Sequence, residues 1–309
     1  MNKYIKYTVA VVGGLLLSHN YVVGQIVKTD YFMKSSITRN YLNPALAPEQ
    51  GYLIAPVIPT IGASVKTNTL VLDNLMFKKG GEMLTFMHKD VTADEFLKNI
   101  KSDNFIGVNS SVKLFALGFY KGDSFWNVDL GVRVHSDVNL PKSLFELLKV
   151  GFKQTGSSLY DLSDIDANVN SFAELGVSHA RPFLDNKLVL GGRVKLLAGL
   201  AHANIRANSL SIEATETEWI AKSEVTLKGA APGVEATYDS DGYLDGFDFD
   251  WSGIPGWGVG FDLGAVYDLG GVVPVLDGLK VSAALNDIGY IKWNKKNGIS
   301  LKSEKSEVT

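Results

Sequence analysis

Residues 126–137 read Trp-Asn-Val-Asp-Leu-Gly-Val-Arg-Val-His-Ser-Asp, and their alternation decides the fold. Trp126, Val128, Leu130, Val132 and Val134 fall on one face; Asn127, Asp129, Gly131, Arg133, His135 and Asp137 fall on the other. Successive strand side chains point to opposite faces, so this is a β-strand with one apolar and one polar side. The pattern holds over about ten residues, the length a tilted strand needs to cross a bilayer and nearly twice that of an ordinary strand.

The same reading extends outward. In residues 257–268, Trp257, Val259, Phe261, Leu263, Ala265 and Tyr267 oppose Gly258, Gly260, Asp262, Gly264 and Asp268, with Val266 the exception. From Leu188 to Ala201, Leu188, Leu190, Val194, Leu196, Ala198 and Leu200 oppose Gly191, Arg193, Lys195 and Gly199. Shorter echoes set Ala173, Leu175 and Val177 against Glu174, Gly176 and Ser178, and Leu279, Val281, Ala283 and Leu285 against Lys280, Ser282 and Asn286. Trp257 and Tyr267 bracket their strand; at a tilt of about 40° they stand about 25 Å apart along a membrane normal, the height of a barrel's apolar band. Phe119, Tyr120, Phe125 and Trp126 flank the turn 121–124, where an interfacial aromatic girdle would put them. A soluble β-sandwich alternates as well, but asks for neither the length nor the paired aromatics. The expectation is an all-β, antiparallel transmembrane β-barrel of about eight to ten strands, with an apolar face toward outer-membrane lipid.

Composition agrees. Of 309 residues, 30 are Lys or Arg and 33 Asp or Glu, a net charge of −3 with no basic excess to bind nucleic acid. There are no cysteines, which excludes disulfides, thiolate metal sites and a Cys nucleophile. Lys3 and Lys6 precede the apolar run Thr8–Leu17, and Val22-Val23-Gly24 offers a small-residue cleavage site before Gln25. That is the layout of a secretory signal peptide, too short in its apolar part to span a bilayer. The expected division is a signal peptide at 1–24, a periplasmic segment at 25–50, a barrel at 51–293 and a polar tail or truncated loop at 294–309. Localisation would be the outer membrane, reached through the barrel-assembly machinery.

Short connections at Lys121–Ser124, Leu184–Lys187 and about Leu269–Leu279 alternate with long ones at about 67–104 and 140–171, as in barrels with short periplasmic turns. Thr92 with Glu95 forms a capping box for a short helix to about Ile100, and Pro141 starts another that ends at Gly151. These helices either fold over or into the mouth of the barrel or decorate the loops, and decoration is the simpler reading. Asn204–Gly229 reads as an extended hairpin turning near Thr215–Glu218.

Chemistry motifs are few. Gly256-Trp257-Gly258-Val259-Gly260 is not followed by a helix and so is no phosphate loop. The histidines are scattered and no nucleophile elbow is present. No enzyme and no cofactor is expected. Asp239, Asp241 and Asp245 form a weak calcium candidate whose glycine is misplaced for an EF-hand. The stronger constellation is the inward polar set Asp129, Arg133, His135, Glu174, Arg193, Lys195 and Asp262. Its mixed signs suit either a self-neutralising network or a polar conduit.

The segments Tyr31-Phe32-Met33, Tyr41-Leu42-Asn43-Pro44-Ala45-Leu46-Ala47-Pro48 and Gly51-Tyr52 resemble the N-terminal signature of a Bacteroidota outer-membrane protein family catalogued only as a domain of unknown function. The resemblance continues through Phe86-Met87-His88, Ala93–Leu97, Gly246–Asp250, Asp262–Ala265 and Val281–Gly289. More distantly, the strand–turn–strand pattern is similar to long-chain fatty-acid transporter barrels and to accessory barrels of Bacteroidota secretion. The resemblance implies location and fold. Two functions follow as expectations: a transporter or channel for small or hydrophobic solutes, or a structural or secretion-accessory barrel binding a protein partner through its outer loops. Barrels of this kind end in an aromatic residue, whereas residues 301–309 are polar. Further strands beyond Trp293 are therefore expected, and without them the edges near Gly51–Val65 and Leu279–Trp293 would stay unpaired.

Overall fold

The computed structural model describes residues 22–23, 25–152, 156–215, 218–242, 244–250, 253–270, 278–303 and 306–308. The signal peptide expected at 1–24 lies outside the described residues, apart from Val22–Val23 (β1). β2 (Tyr52–Ile54) and β3 (Thr60–Thr67) precede a small hairpin of β4 (Met76–Lys79) and β5 (Glu82–Thr85). Then come β6 (Asp103–Lys121), β7 (Ser124–Pro141), β8 (Ser158–Asp161), β9 (Asp166–Phe183) and β10 (Leu188–Ala214). β11 (Trp219–Ala230) is followed by the hairpin of β12 (Val234–Tyr238) and β13 (Leu244–Phe249). β14 (Gly256–Asp268), β15 (Lys280–Trp293), β16 (Gly298–Lys302) and β17 (Ser306–Val308) complete the order.

Thirteen of these strands form one antiparallel sheet, so the chain is an all-β protein with short helices in its connections. The count exceeds the expected eight to ten because β1, β2, β8, β16 and β17 have at most five residues each, too few to show a period. Across the sheet the order is β3–β6–β7–β9–β10–β14–β15. β10 has 27 residues and changes neighbour midway: Leu188–Gly199 pairs with β14, and His202–Ala214 pairs with β11. A register shift against β9 between Gly199 and Ala201 marks the change.

Among the described residues the sheet curls without closing. Side chains of β7 and β15 meet across its inner face although three strands separate them. Among the described residues no backbone pairing joins β15 to β3, and β3 is covered on its outer side only by Val22–Val23. The stretch after Trp293, expected as a tail or loop, instead adds β16 and β17 to β11. Ile299 and Leu301 alternate there with Gly298, Ser300 and Lys302, a run too short to mark a strand apart from its pairing with β11.

The turns at Lys121–Ser124 and Leu184–Lys187 gather at one end of the sheet, where β14 ends and β15 begins, and the long connections at the other, because neighbouring strands run antiparallel. Asp185 and Asn186 adopt φ of +53° and +67°, the left-handed turn that matches strand twist. At the opposite end both expected helices form. Thr92 accepts a hydrogen bond from the Glu95 backbone N–H at 3.2 Å to cap the helix Ala93–Leu97, and Lys142–Val150 ends at Gly151 with φ +69°. They are more than loop decoration. Val91, Phe96, Ile100 and Phe145 are buried in a satellite core, with the Phe86 ring stacked 4.3 Å from Phe96. Lys79 bonds the Glu95 carboxylate at 2.7 Å and holds it below the usual carboxylate range.

Candidate functional site

Strand parity sorts the two faces of the sheet by polarity. One transverse row runs Leu53–Leu117–Val128–Val177–Val194–Phe261–Ile288 over seven strands, each paired with the next. Six of these seven are exposed large apolar residues, as are Leu130, Leu175, Leu196 and Leu263 beside them. The opposite face buries Lys113, Asn127, Asp129, Glu174, Arg193, Lys195 and Asp262. Around the short turn, Phe119, Tyr120 and Trp126 are exposed but Phe125 is 2% exposed. Phe125 and its register partner Tyr120 do not join an outer girdle, because strand alternation turns both inward when Phe119 and Trp126 face out; Phe125 packs on Tyr52 and Tyr120.

The inner face carries a neutral ionic cluster. Lys113 Nζ lies 2.5 Å from Asp129 and 3.0 Å from Glu174; Arg193 Nη2 lies 2.7 Å from each of the same carboxylates. Lys195 bridges Asp262 at 2.5 Å and Asp287 at 2.7 Å, and Arg133 bridges Asp287 at 2.7 Å and Glu174 at 3.3 Å. Four cations thus meet four carboxylates; the six groups other than Arg133 and Asp287 are buried, and burial away from water requires that they pair. Glycines make the room. A Cβ on Gly176 would stand 2.4 Å from Arg193 Nη2, one on Gly131 3.0 Å from Lys113 Cδ, and one on Gly260 3.0 Å from Lys195 Cε.

Of the seven expected inward residues, Asp129, Arg133, Glu174, Arg193, Lys195 and Asp262 come together. His135 stands apart, toward the long-loop end, bonded through Nδ1 to Asn109 at 2.6 Å and through Nε2 to Asp137 at 2.9 Å. Lys113 and Asp287 were not legible. Each lies beside a register shift, between Lys113 and Phe115 and opposite Phe261–Leu263, where an extra residue resets strand parity. Asp287 sits at φ +59°, so a polar residue in a mostly apolar stretch was the only sequence signal.

The N-terminal segment fills the short-turn end. The Tyr41 ring lies 4.4 Å from Lys113 Nζ and 4.7 Å from the Arg193 guanidinium carbon, a double cation–π contact under the ionic cluster. Burial, reinforced by Asp129, pushes the Tyr41 phenol well above the ordinary tyrosine range. Asn43 Nδ2 donates to the Ala283 carbonyl at 3.2 Å and the Ala265 carbonyl at 3.5 Å, and Asn286 Nδ2 donates to the Leu42 carbonyl at 2.7 Å. A Cβ on Gly191 would fall 2.2 Å from Pro44 C and one on Gly264 2.0 Å from Asn43 Oδ1, so the segment rests directly on bare strand backbone. Tyr120 closes it by donating to the Pro48 carbonyl at 2.5 Å. The segment expected at 25–50 is therefore an inner plug of the curled sheet, at least from Tyr31 to Pro48.

Beyond the ionic cluster, toward the long loops, lies a cavity of about 510 Å³. Arg133, Glu174, Lys195 and Asp287 line its floor, and Phe172 and Trp293 its walls. The calcium candidates do not converge: Asp239 Oδ1 accepts from the Asp241 backbone N–H at 3.0 Å in the tip of the β12–β13 hairpin, next to Gly242 at φ +84°. Among the described residues no three His, Asp or Glu side chains gather as metal ligands.

A curled antiparallel sheet with an apolar exterior, a neutralised ionic interior and an N-terminal plug defines the architecture. The chain matches the model of a Family of unknown function (DUF5723) over residues 44–308 and belongs to that family. The match begins within the plug, at Pro44. No curated protein and no solved structure gave a significant match.

Proposed function

We propose that this protein is an exported outer-membrane protein whose curled sheet faces lipid with its apolar side and holds small solutes in the plugged inner cavity, as a transporter or channel component. One observation carries the reading: polarity is inverted, with Leu130, Leu175, Val194, Leu196, Phe261 and Leu263 exposed while Asp129, Glu174, Arg193, Lys195 and Asp262 are buried. A protein surrounded by water gains by the reverse arrangement, and an apolar patch this wide needs an apolar neighbour. The reading includes export through a cleaved leader and insertion by the barrel-assembly machinery. It also requires the open edges of β3 and β15 to be covered in the membrane, since unpaired backbone in lipid costs several kcal/mol per group.

Fractionation of a diderm host tests it. Recovery in carbonate-washed outer membrane is expected, with solute uptake by reconstituted liposomes above that of empty ones. Recovery in the soluble periplasmic fraction would overturn it.

The packed loop module favours a second reading, a structural or secretion-accessory role in which the outer loops hold a protein partner. Leu72, Met83 and Met87 are exposed on it beside the Phe96–Phe145 core. Membrane recovery with a stoichiometric partner and no uptake would select that role.

A further inference from the structure

The cavity above the ionic cluster has a lining whose chemistry selects a ligand. On its inner face β6, β7, β9 and β10 present one transverse row, Asn109–His135–Asn170–His202, each residue the register partner of the next. Asn109 Oδ1 bonds His135 Nδ1 at 2.6 Å, and Asn170 Oδ1 bonds His202 Nδ1 at 2.9 Å. Each amide thus spends its oxygen on an imidazole, leaving Nδ2 of Asn109 and Asn170 to donate into the cavity they line. Trp293 forms the facing wall. Its ring lies over Gly199 and Gly256, where added Cβ atoms would come within 2.6 and 2.8 Å of it, and His202 stacks on it at 5.5 Å and 22°. The indole is backed on one side by backbone and held flat.

The charged lining is already spoken for. Arg133 is paired with Asp287 and Glu174, and Lys195 with Asp262 and Asp287, so an anion gains little from them and would have to break pairs to reach them. Lys66 stands exposed at the rim, on β3. What remains is a flat aromatic wall beside the fixed amide donors of Asn109 and Asn170, in a volume within the range of small-molecule sites. Such a lining fits a molecule with one apolar face and hydroxyls on its edges. A hydroxyl oxygen accepts from such amide donors.

We propose that this cavity binds a neutral saccharide, its ring face on Trp293 and its hydroxyls on the Nδ2 groups of Asn109 and Asn170. The inference rests on the reading of the inner cavity as a solute site and names its substrate class. An anionic amphiphile is the competing occupant.

Full-length protein in a detergent without a sugar headgroup, such as a dimethylamine oxide, is titrated calorimetrically with maltotriose, cellotriose and chitotriose, and separately with laurate. At least one saccharide is expected to bind saturably, with Trp293→Leu and Asn170→Ala each weakening it by about tenfold or more. Trp257→Leu, on the outer face, should leave binding unchanged. Near-UV circular dichroism confirms that each variant is folded, and Asn170→Ala, the smaller change, stands alone if Trp293→Leu is not. Absence of heat with all three saccharides, with or without laurate binding, overturns the proposal, as does saccharide binding indifferent to Asn170. Liposome flotation of the same sample separates the two readings. Protein that floats but binds no saccharide overturns the ligand class alone, and protein that binds saccharide but does not float overturns the membrane reading alone.

Discussion

Arg133 on β7 holds Asp287 on β15 through two hydrogen bonds, Nη1 to Oδ1 at 2.7 Å and Nη2 to Oδ2 at 3.1 Å, across the inner face of the sheet. The two strands share no backbone pairing, so this fork is a tie between the β15 edge and the body of the sheet. Asp287→Asn keeps a residue that tolerates the φ of +59° found there and removes the charge that Arg133 and Lys195 share, so the fork is isolated by a double-mutant cycle. Asp287 is half-exposed, and a double-mutant cycle with Arg133→Gln in chemical unfolding should return a coupling of about 1 kcal/mol. A coupling of zero would mean the tie is ornamental.

Glu174 is placed differently. It is 1% exposed and contacts Lys113, Arg133 and Arg193 at once. Glu174→Gln leaves one buried cation uncompensated, and should cost about 3–5 kcal/mol in the same assay. Glu82→Gln, exposed in β5, serves as the control and should change nothing measurable.

Gly176→Ala probes the space that the cations occupy. The new methyl would meet the Arg193 guanidinium at 2.4 Å, and that group is walled in by Asp129 and Glu174. A loss of about 1–3 kcal/mol is expected from overpacking. Gly192→Ala, one strand over, meets nothing closer than 3.8 Å and should lie within about 0.5 kcal/mol of the parent.

Leu130→Arg puts a cation on the exposed apolar face, where it should cost about 2–4 kcal/mol near a bilayer midplane and reduce the membrane-inserted fraction. Arg133→Leu, three residues on and inward, should loosen β15 yet leave insertion intact. Carbonate extraction of both variants reads the difference. Equal losses would contradict the assignment of faces.

The open edges give a fifth outcome. A closed barrel resists unfolding in unboiled detergent gels. With β15 and β3 not paired to each other, residues 25–309 refolded alone should show no heat-modifiable band. A compact, heat-shifted monomer would mean that the two edges meet in detergent.

Much of this architecture is legible in the chain because period-two alternation over ten or more residues leaves few alternatives. Leu188–Ala201 and Trp257–Asp268 face as their patterns require, and the turn at Thr215–Glu218 joins β10 to β11, with Thr215 N–H donating to the Glu218 carbonyl at 2.9 Å. Alternation has no memory across a bulge, which is why Lys113 and Asp287 escaped the inward set while Asp129 and Arg193 did not. Nor could local pattern show that Tyr41 and Asn43 enter the sheet's interior. Their partners are Lys113, Arg193 and the carbonyls of β14 and β15, all distant in sequence.

That distance sets an order of events. Asn43 bonds the carbonyls of Ala265 and Ala283, 222 and 240 residues downstream, and Leu42 accepts from Asn286, 244 residues on. The Tyr41–Pro44 part of the plug, made early, therefore has no seat until the β14–β15 hairpin exists. The loop it must close is nearly the whole molecule, so its docking is a late step of assembly, after the local hairpins have formed. Until then the ionic cluster is open at the short-turn end, and the last strands to arrive are the ones that let the first residues in.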